Sequence, residues 1–169
     1  MVSLHRSQPK WEPLPSLRLK INFDGTVFRE TKEAGLGVVV RDFHGKVLAS
    51  LVEKIKLPSS SDEVEVLVAV RAITLVLDLN LPSFIVEGDS EVVILALRKE
   101  DESFSSFGHM ISSIKHYIVF VIVFPFLIPE GRVTLAHSLA KHARTIVGFS
   151  MWMEDVPPQV VDVLLADCG

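Results

Sequence analysis

Cysteine is all but missing from this chain: the single one, Cys168, stands beside the last residue, so no intrachain disulfide can form. Such thiol poverty fits a reducing compartment, nucleus or cytoplasm. An excess of positive charge is missing too, with 17 Lys and Arg against 21 Asp and Glu and a net charge of −4. Bulk attraction to polyanions is thereby excluded, and any surface for nucleic acid must be local. No apolar run reaches membrane-spanning length. The run 118–128 (IVFVIVFPFLI) holds eleven residues with Pro125 inside it and Glu130 just beyond, whereas a spanning helix needs roughly 20. It reads as a buried strand, and no membrane partner is expected. The opening MVSLHRSQPKWEPLP lacks the apolar core of a signal peptide, and its three prolines make a poor transit helix. Internal repeats and low-complexity tracts are absent as well.

What is present is the material of one α/β domain. The 169 residues suit a single core. Hydrophobic residues make up 49% and charged residues 22%, and the positive mean hydropathy predicts a large buried fraction or some association. Residues 1–16 form a proline-rich lead-in, 17–147 the domain, and 148–169 a tail. In the domain, Leu17, Leu19, Ile21 and Phe23 alternate with polar residues, the period of a half-buried strand. Asp24-Gly25 is expected to end it. Leu36–Arg41 and Val47–Ile55 follow across short turns, an antiparallel meander. Ser60-x-x-Glu63 has the capping-box spacing and opens a helix, Val64–Leu79, that is apolar almost all round. A short strand at Phe84–Glu87, helices near 91–99 and 107–116, a strand near 119–124 and a helix over 134–146 complete the order. Strands separated by helices favour parallel crossovers. The expected fold is therefore a mixed five-stranded sheet, three antiparallel strands then two parallel, with helices on both faces.

Three carboxylates stand out by context. Asp24 lies at the end of the expected first strand, Glu65 in the first turn of the buried helix, and Asp89 just past the fourth strand, where open α/β sheets place ligands. Were they to converge, their mutual repulsion would call for divalent cations, and hard oxygen donors suit Mg²⁺ or Mn²⁺. Two such ions could activate water and stabilise the leaving oxygen of a phosphodiester. Taken singly, each has an ordinary alternative: Asp24 a turn residue, Asp89 a helix cap, Glu65 a carboxylate favoured by the helix dipole. Spacing alone does not decide between them.

The ordered segments INFDG (21–25), GLGVVVRDFHGKVLAS (35–50), EVEVLVAVRAI (63–73), VEGDSEVV (86–93) and LAHSLAKHA (135–143) resemble successive blocks of the plant ribonuclease H-like domain family, related to reverse-transcriptase-associated sequences. WEPLP and FSMWMEDVPP resemble that family's flanks. The resemblance implies a ribonuclease H-like fold in which Asp24, Glu65 and Asp89 hold two Mg²⁺ or Mn²⁺ ions. It also implies hydrolysis of the RNA strand of an RNA–DNA hybrid, recognised by shape and 2′-hydroxyls. Where ribonucleases H usually carry a fourth acidic residue, this chain has His137. An imidazole could ligate Mn²⁺ or act as an acid or base, but it brings no negative charge; alternatively it faces solvent at a helix start. The stretch 124–137 (FPFLIPEGRVTLAH) also departs from the family, with an apolar strand end and Pro125. Lys54, Lys56, Arg71, Arg98, Lys99, Lys141 and Arg144 offer modest substrate contacts, most of them read as solvated charges. Two further readings stay open beside the hybrid nuclease: a nucleic-acid-binding module of mobile-element origin with little or no turnover, and a protein-interaction domain using the 118–128 segment and the tail.

Overall fold

A computed structural model describes residues 19–81, 84–87 and 135–167. Strand β1 (Leu19–Phe28), β2 (Glu33–Arg41) and β3 (Val47–Lys56) form the predicted meander, followed by helix α1 (Ser61–Asp78) and strand β4 (Phe84–Glu87). Helix α2 (Leu135–His142) runs into a 3₁₀ turn at Ala143–Thr145. Strand β5 (Phe149–Met153), a second 3₁₀ turn at Pro158–Val160 and helix α3 (Val161–Asp167) close the described chain.

The strands lie in the order β4-β1-β2-β3-β5. Here the expected arrangement needs correction. Four strands, β1, β2, β3 and β5, make an antiparallel set, with β4 parallel to β1 at one edge. The expectation of three antiparallel strands followed by two parallel ones leaves out β5, because residues 149–153, taken alone, belong to the tail. The signal was present: Phe149, Met151 and Met153 alternate with half-buried Ser150 and Trp152. Helix α2 leads into β5, which pairs antiparallel with β3 at the opposite edge from β4. The expected strand near 119–124 and the helices near 91–99 and 107–116 lie outside the described residues.

The turn chemistry behaves as local rules dictate, with one exception. Asp42 accepts backbone N–H bonds from His44 and Lys46, closing the DFHG turn, and Gly45 takes the left-handed φ of +86° there. Ser60 caps α1, its hydroxyl accepting from Glu63 N–H at 3.2 Å. The reciprocal bond reaches one residue further back than a standard capping box, from Ser59 N–H to Glu63 Oε2. The exception is Asp24-Gly25. Rather than ending β1 it sits mid-strand, and the chain reverses at residues 29–32 with Lys32 at φ +55°. Gly25 pairs in register with Leu36, so the ladder carries the strand past it.

Two cores flank the sheet. On one face Ile21, Phe23, Leu36, Val38 and Leu51 pack with Val64, Val68, Ala72 and Leu75 of α1. On the other, Val39, Val47 and Val52 pack with Leu135, Leu139 and Ala143, closed by Val156 and Val160 from beyond β5. Helices thus cover both faces. Among the described residues no helix is long and apolar enough to cross a membrane.

Candidate functional site

The register of β1 and β2 decides where Asp24 points. Asp24 pairs with Gly37, and directly paired residues share a face. A Cβ on Gly37 would stand 2.3 Å from the carbonyl oxygen of Ala136 and 2.4 Å from the backbone nitrogen of Ala140. Gly35, two residues earlier on the same face, lies as close to α2, its Cβ position 2.1 Å from the carbonyl oxygen of Ala140. No side chain fits at either position, so the backbone of α2 rests directly on β2. That seating brings His137, in the first turn of α2, over Asp24.

The result is a close pair: His137 Nδ1 lies 2.5 Å from Asp24 Oδ2. A carboxylate only accepts, so Nδ1 carries the proton. The second carboxyl oxygen, Oδ1, accepts the N–H of Gly25 at 3.0 Å. Both side chains remain partly exposed, 27% for Asp24 and 35% for His137, so the pair opens to solvent. His137 therefore does not simply face solvent at a helix start. It meets the first carboxylate.

Glu65 arrives from the opposite face. The missing side chain of Gly25 lets α1 close on β1: a Cβ there would meet Val64 Cγ1 at 2.7 Å and Glu65 Oε1 at 3.6 Å. The Glu65 carboxylate thus lies against the α-carbon adjoining Asp24. Among the described residues, strand β4 accompanies β1 as far as Asn22, which pairs with Glu87. Asp24 and Gly25 therefore stand beyond the end of that ladder, on the side where α/β sheets take ligands. Asp89 lies outside the described residues, as does the divergent stretch 124–134.

Asp24 and Glu65 are hard oxygen donors, the chemistry Mg²⁺ and Mn²⁺ take, and the imidazole beside them is compatible with Mn²⁺. Among the described residues, no group of three or more His, Cys, Asp or Glu side chains could hold a metal ion. Asp24 meets His137 directly and Glu65 approaches Gly25 from the other face, without closing into a cage. The glycines that seat α2, Gly35 and Gly37, carry no chemistry, and nothing in the sequence reading singles them out. Their signal was the alternation in GLGVVV, two glycines one residue apart on one strand face.

Three of the basic residues are engaged elsewhere. Arg71 pairs with Glu53 at 2.7 Å. Lys54 reaches Glu33 at 3.9 Å and donates to the carbonyl of Arg144, while Arg144 lies over the ring of Phe28.

The sequence matches the model of the reverse transcriptase-like family over residues 22–143, more than half of the chain. No curated protein matches it in sequence. Solved structures with the same fold include ribonuclease H1 of Halobacterium salinarum, with a TM-score of 0.59 and 18% identity over 76% of this chain and 98% of that one. Another is LC11 ribonuclease H1, isolated from compost and solved with an RNA/DNA hybrid. It gives a TM-score of 0.60 and 20% identity over 75% of this chain and 96% of that one. The foamy viral protease–reverse transcriptase, solved with double-stranded DNA, gives 0.59 and 17% over 79% of this chain and 99% of the other. At these identities the likeness is one of fold, and the fold is ribonuclease H-like.

Proposed function

The chain belongs to the reverse transcriptase-like family, and from that premise we propose that it binds RNA–DNA hybrids and hydrolyses their RNA strand in a divalent-metal-dependent reaction. The observation that carries this reading is the approach of Asp24 and Glu65 to Gly25, from opposite faces of the sheet, where β1 runs past its described ladder with β4 and the Asp24 carboxylate is open to solvent. Asp24, Glu65 and Asp89 would hold two Mg²⁺ or Mn²⁺ ions, which supply an activated water and charge stabilisation of the leaving oxygen. Around them, the Gly25 N–H fixes one Asp24 oxygen and His137 fixes the other. The Asp24 carboxylate is thereby oriented before substrate arrives, which lowers the cost of organising the site. The partner is a nucleic acid recognised through its backbone and 2′-hydroxyls. The resemblance to plant members, with descent from a mobile element, belongs to the same reading.

One observation favours a second reading, hybrid binding with little turnover. The group facing Asp24 on α2 is an imidazole in contact with a carboxylate oxygen that ion binding would use, where ribonucleases H usually place a carboxylate.

A single assay separates the two. A labelled hybrid is incubated with the purified chain in Mg²⁺ and, separately, Mn²⁺, alongside Asp24→Asn, Glu65→Gln and Asp89→Asn. On the hydrolytic reading the wild type cuts the RNA strand and each variant loses at least about a hundredfold, the scale of removing one preorganised group from a charge-stabilising site. A wild type that binds hybrid but leaves it intact in both metals establishes the second reading instead. Cleavage that survives all three substitutions sinks the site assignment.

A further inference from the structure

Among the described residues β5 is the last strand of the sheet, and its outer side presents backbone groups that another strand could meet. Lys54 N–H donates to the carbonyl of Gly148 at 2.7 Å, and Glu154 N–H to that of Leu48 at 2.8 Å. With the register Glu53↔Phe149 to Ala49↔Met153, alternation of the antiparallel ladder turns the backbone groups of 148, 150, 152 and 154 toward β3. Those of Phe149, Met151 and Met153 turn outward. Their side chains share one face and are exposed by 59%, 43% and 55%.

Natural edge strands are protected by lysine, proline, a bulge or an inward charge. The strand FSMWM has none of these. Its register with β3 is unbroken, and Glu154 just beyond it is held by Lys46 of the same chain at 3.6 Å.

We propose that β5 pairs antiparallel with β5 of a second copy of this chain, about a two-fold axis at Met151, to make one continuous sheet. The sequence is complementary to itself in that register. Phe149 of one copy lies opposite Met153 of the other, a favourable ring–thioether pair, and Met151 lies opposite Met151. Glu154 falls opposite Gly148 rather than opposite another carboxylate. Two outward-facing backbone edges satisfy each other, and the apolar strip leaves water on both copies. Strands β2 and β3 separate β5 from β1, about 14 Å at the usual spacing, so both Asp24 sites stay open in the pair. The pairing is independent of hydrolysis.

Analytical ultracentrifugation of the full chain tests it. Wild type is expected to sediment with the mass of two chains against 18.8 kDa for one. Met151→Lys and Met151→Glu each place like charges opposite each other and are expected to sediment as single chains, whereas their equimolar mixture regains the two-chain mass. A single-chain wild type overturns the proposal, meaning that something else covers β5 or nothing does. A two-chain mass retained in either variant, or a mixture that stays at one, overturns it too. A measurement on wild type alone guards against poorly folded variants. Amide exchange at Phe149, Met151 and Met153 should slow several-fold as concentration is raised through the association range, and exchange that does not respond counts against the pairing.

Discussion

At the scale of single residues, His137 distinguishes this site. It spends Nδ1–H on Asp24, and on the proposed reading it replaces a carboxylate there. Because imidazole accommodates Mn²⁺ better than Mg²⁺, cleavage of a hybrid is expected to be stronger in Mn²⁺. His137→Asp should narrow that preference by raising the Mg²⁺ rate; titrating both metals with wild type and variant measures it, and a preference left unchanged would remove His137 from the metal's surroundings. A second histidine sets a stability term away from the site. Burial holds the pKa of His142 below its ordinary 6.5, beside Trp152. The unfolded chain therefore binds the proton more readily, so stability falls as pH drops through 6.5 and is recovered above it. Urea unfolding at pH 5.5 and 7.5 should show this dependence in wild type and less of it in His142→Gln.

At the scale of elements, glycines do the positioning. Gly37 has no room for a Cβ against the backbone of α2, and a backbone cannot give way as a side-chain tip can. Gly37→Val is expected to cost about 1–3 kcal/mol or more by overpacking, and to lift His137 off Asp24. Chemical denaturation measures the first effect. The second appears as a changed chemical shift of the His137 ring by NMR in whatever folded fraction remains. Ser60→Ala removes the cap of α1 and should cost about 1 kcal/mol, a smaller loss that leaves the site's geometry in place. The contrast between the two variants tests whether the helix seat, rather than overall stability, governs the Asp24–His137 contact.

At the scale of the whole molecule, the segment after α2 is part of the fold. Strand β5 covers the edge of β3, Ser50 donates to the carbonyl of Asp155 at 2.7 Å, and Val156 and Val160 close the second core. Arg41 ties α3 to the far end of β2 through Asp167 at 2.7 Å, with both side chains largely buried. Ending the chain at residue 148 would bare β3 and open that core, so the shortened protein is expected to aggregate or melt well below the full chain, as scanning fluorimetry with light scattering would show. Arg41→Ala should destabilise more mildly, by about 1–3 kcal/mol, because it leaves the Asp167 carboxylate partly buried without its partner.

Local patterns determined much of this protein. Alternation in 19–23 predicted β1, and Ser60-x-x-Glu63 predicted the start of α1. The near-continuous apolar run after it predicted a helix buried on most sides, because caps and hydrophobic period are set by neighbours in sequence. The resemblance in ordered blocks singled out Asp24 and Glu65. Tertiary structure decided the rest. Asp24-Gly25, a turn by local rules, is mid-strand because β2 pairs along it. His137, a surface residue or a ligand by sequence alone, meets Asp24 because Gly35 and Gly37 let α2 rest on the sheet. Residues 149–153, a tail when read alone, are a strand because β3 presents an edge for them. Each outcome depends on contacts between segments far apart in the chain, which a local pattern does not encode.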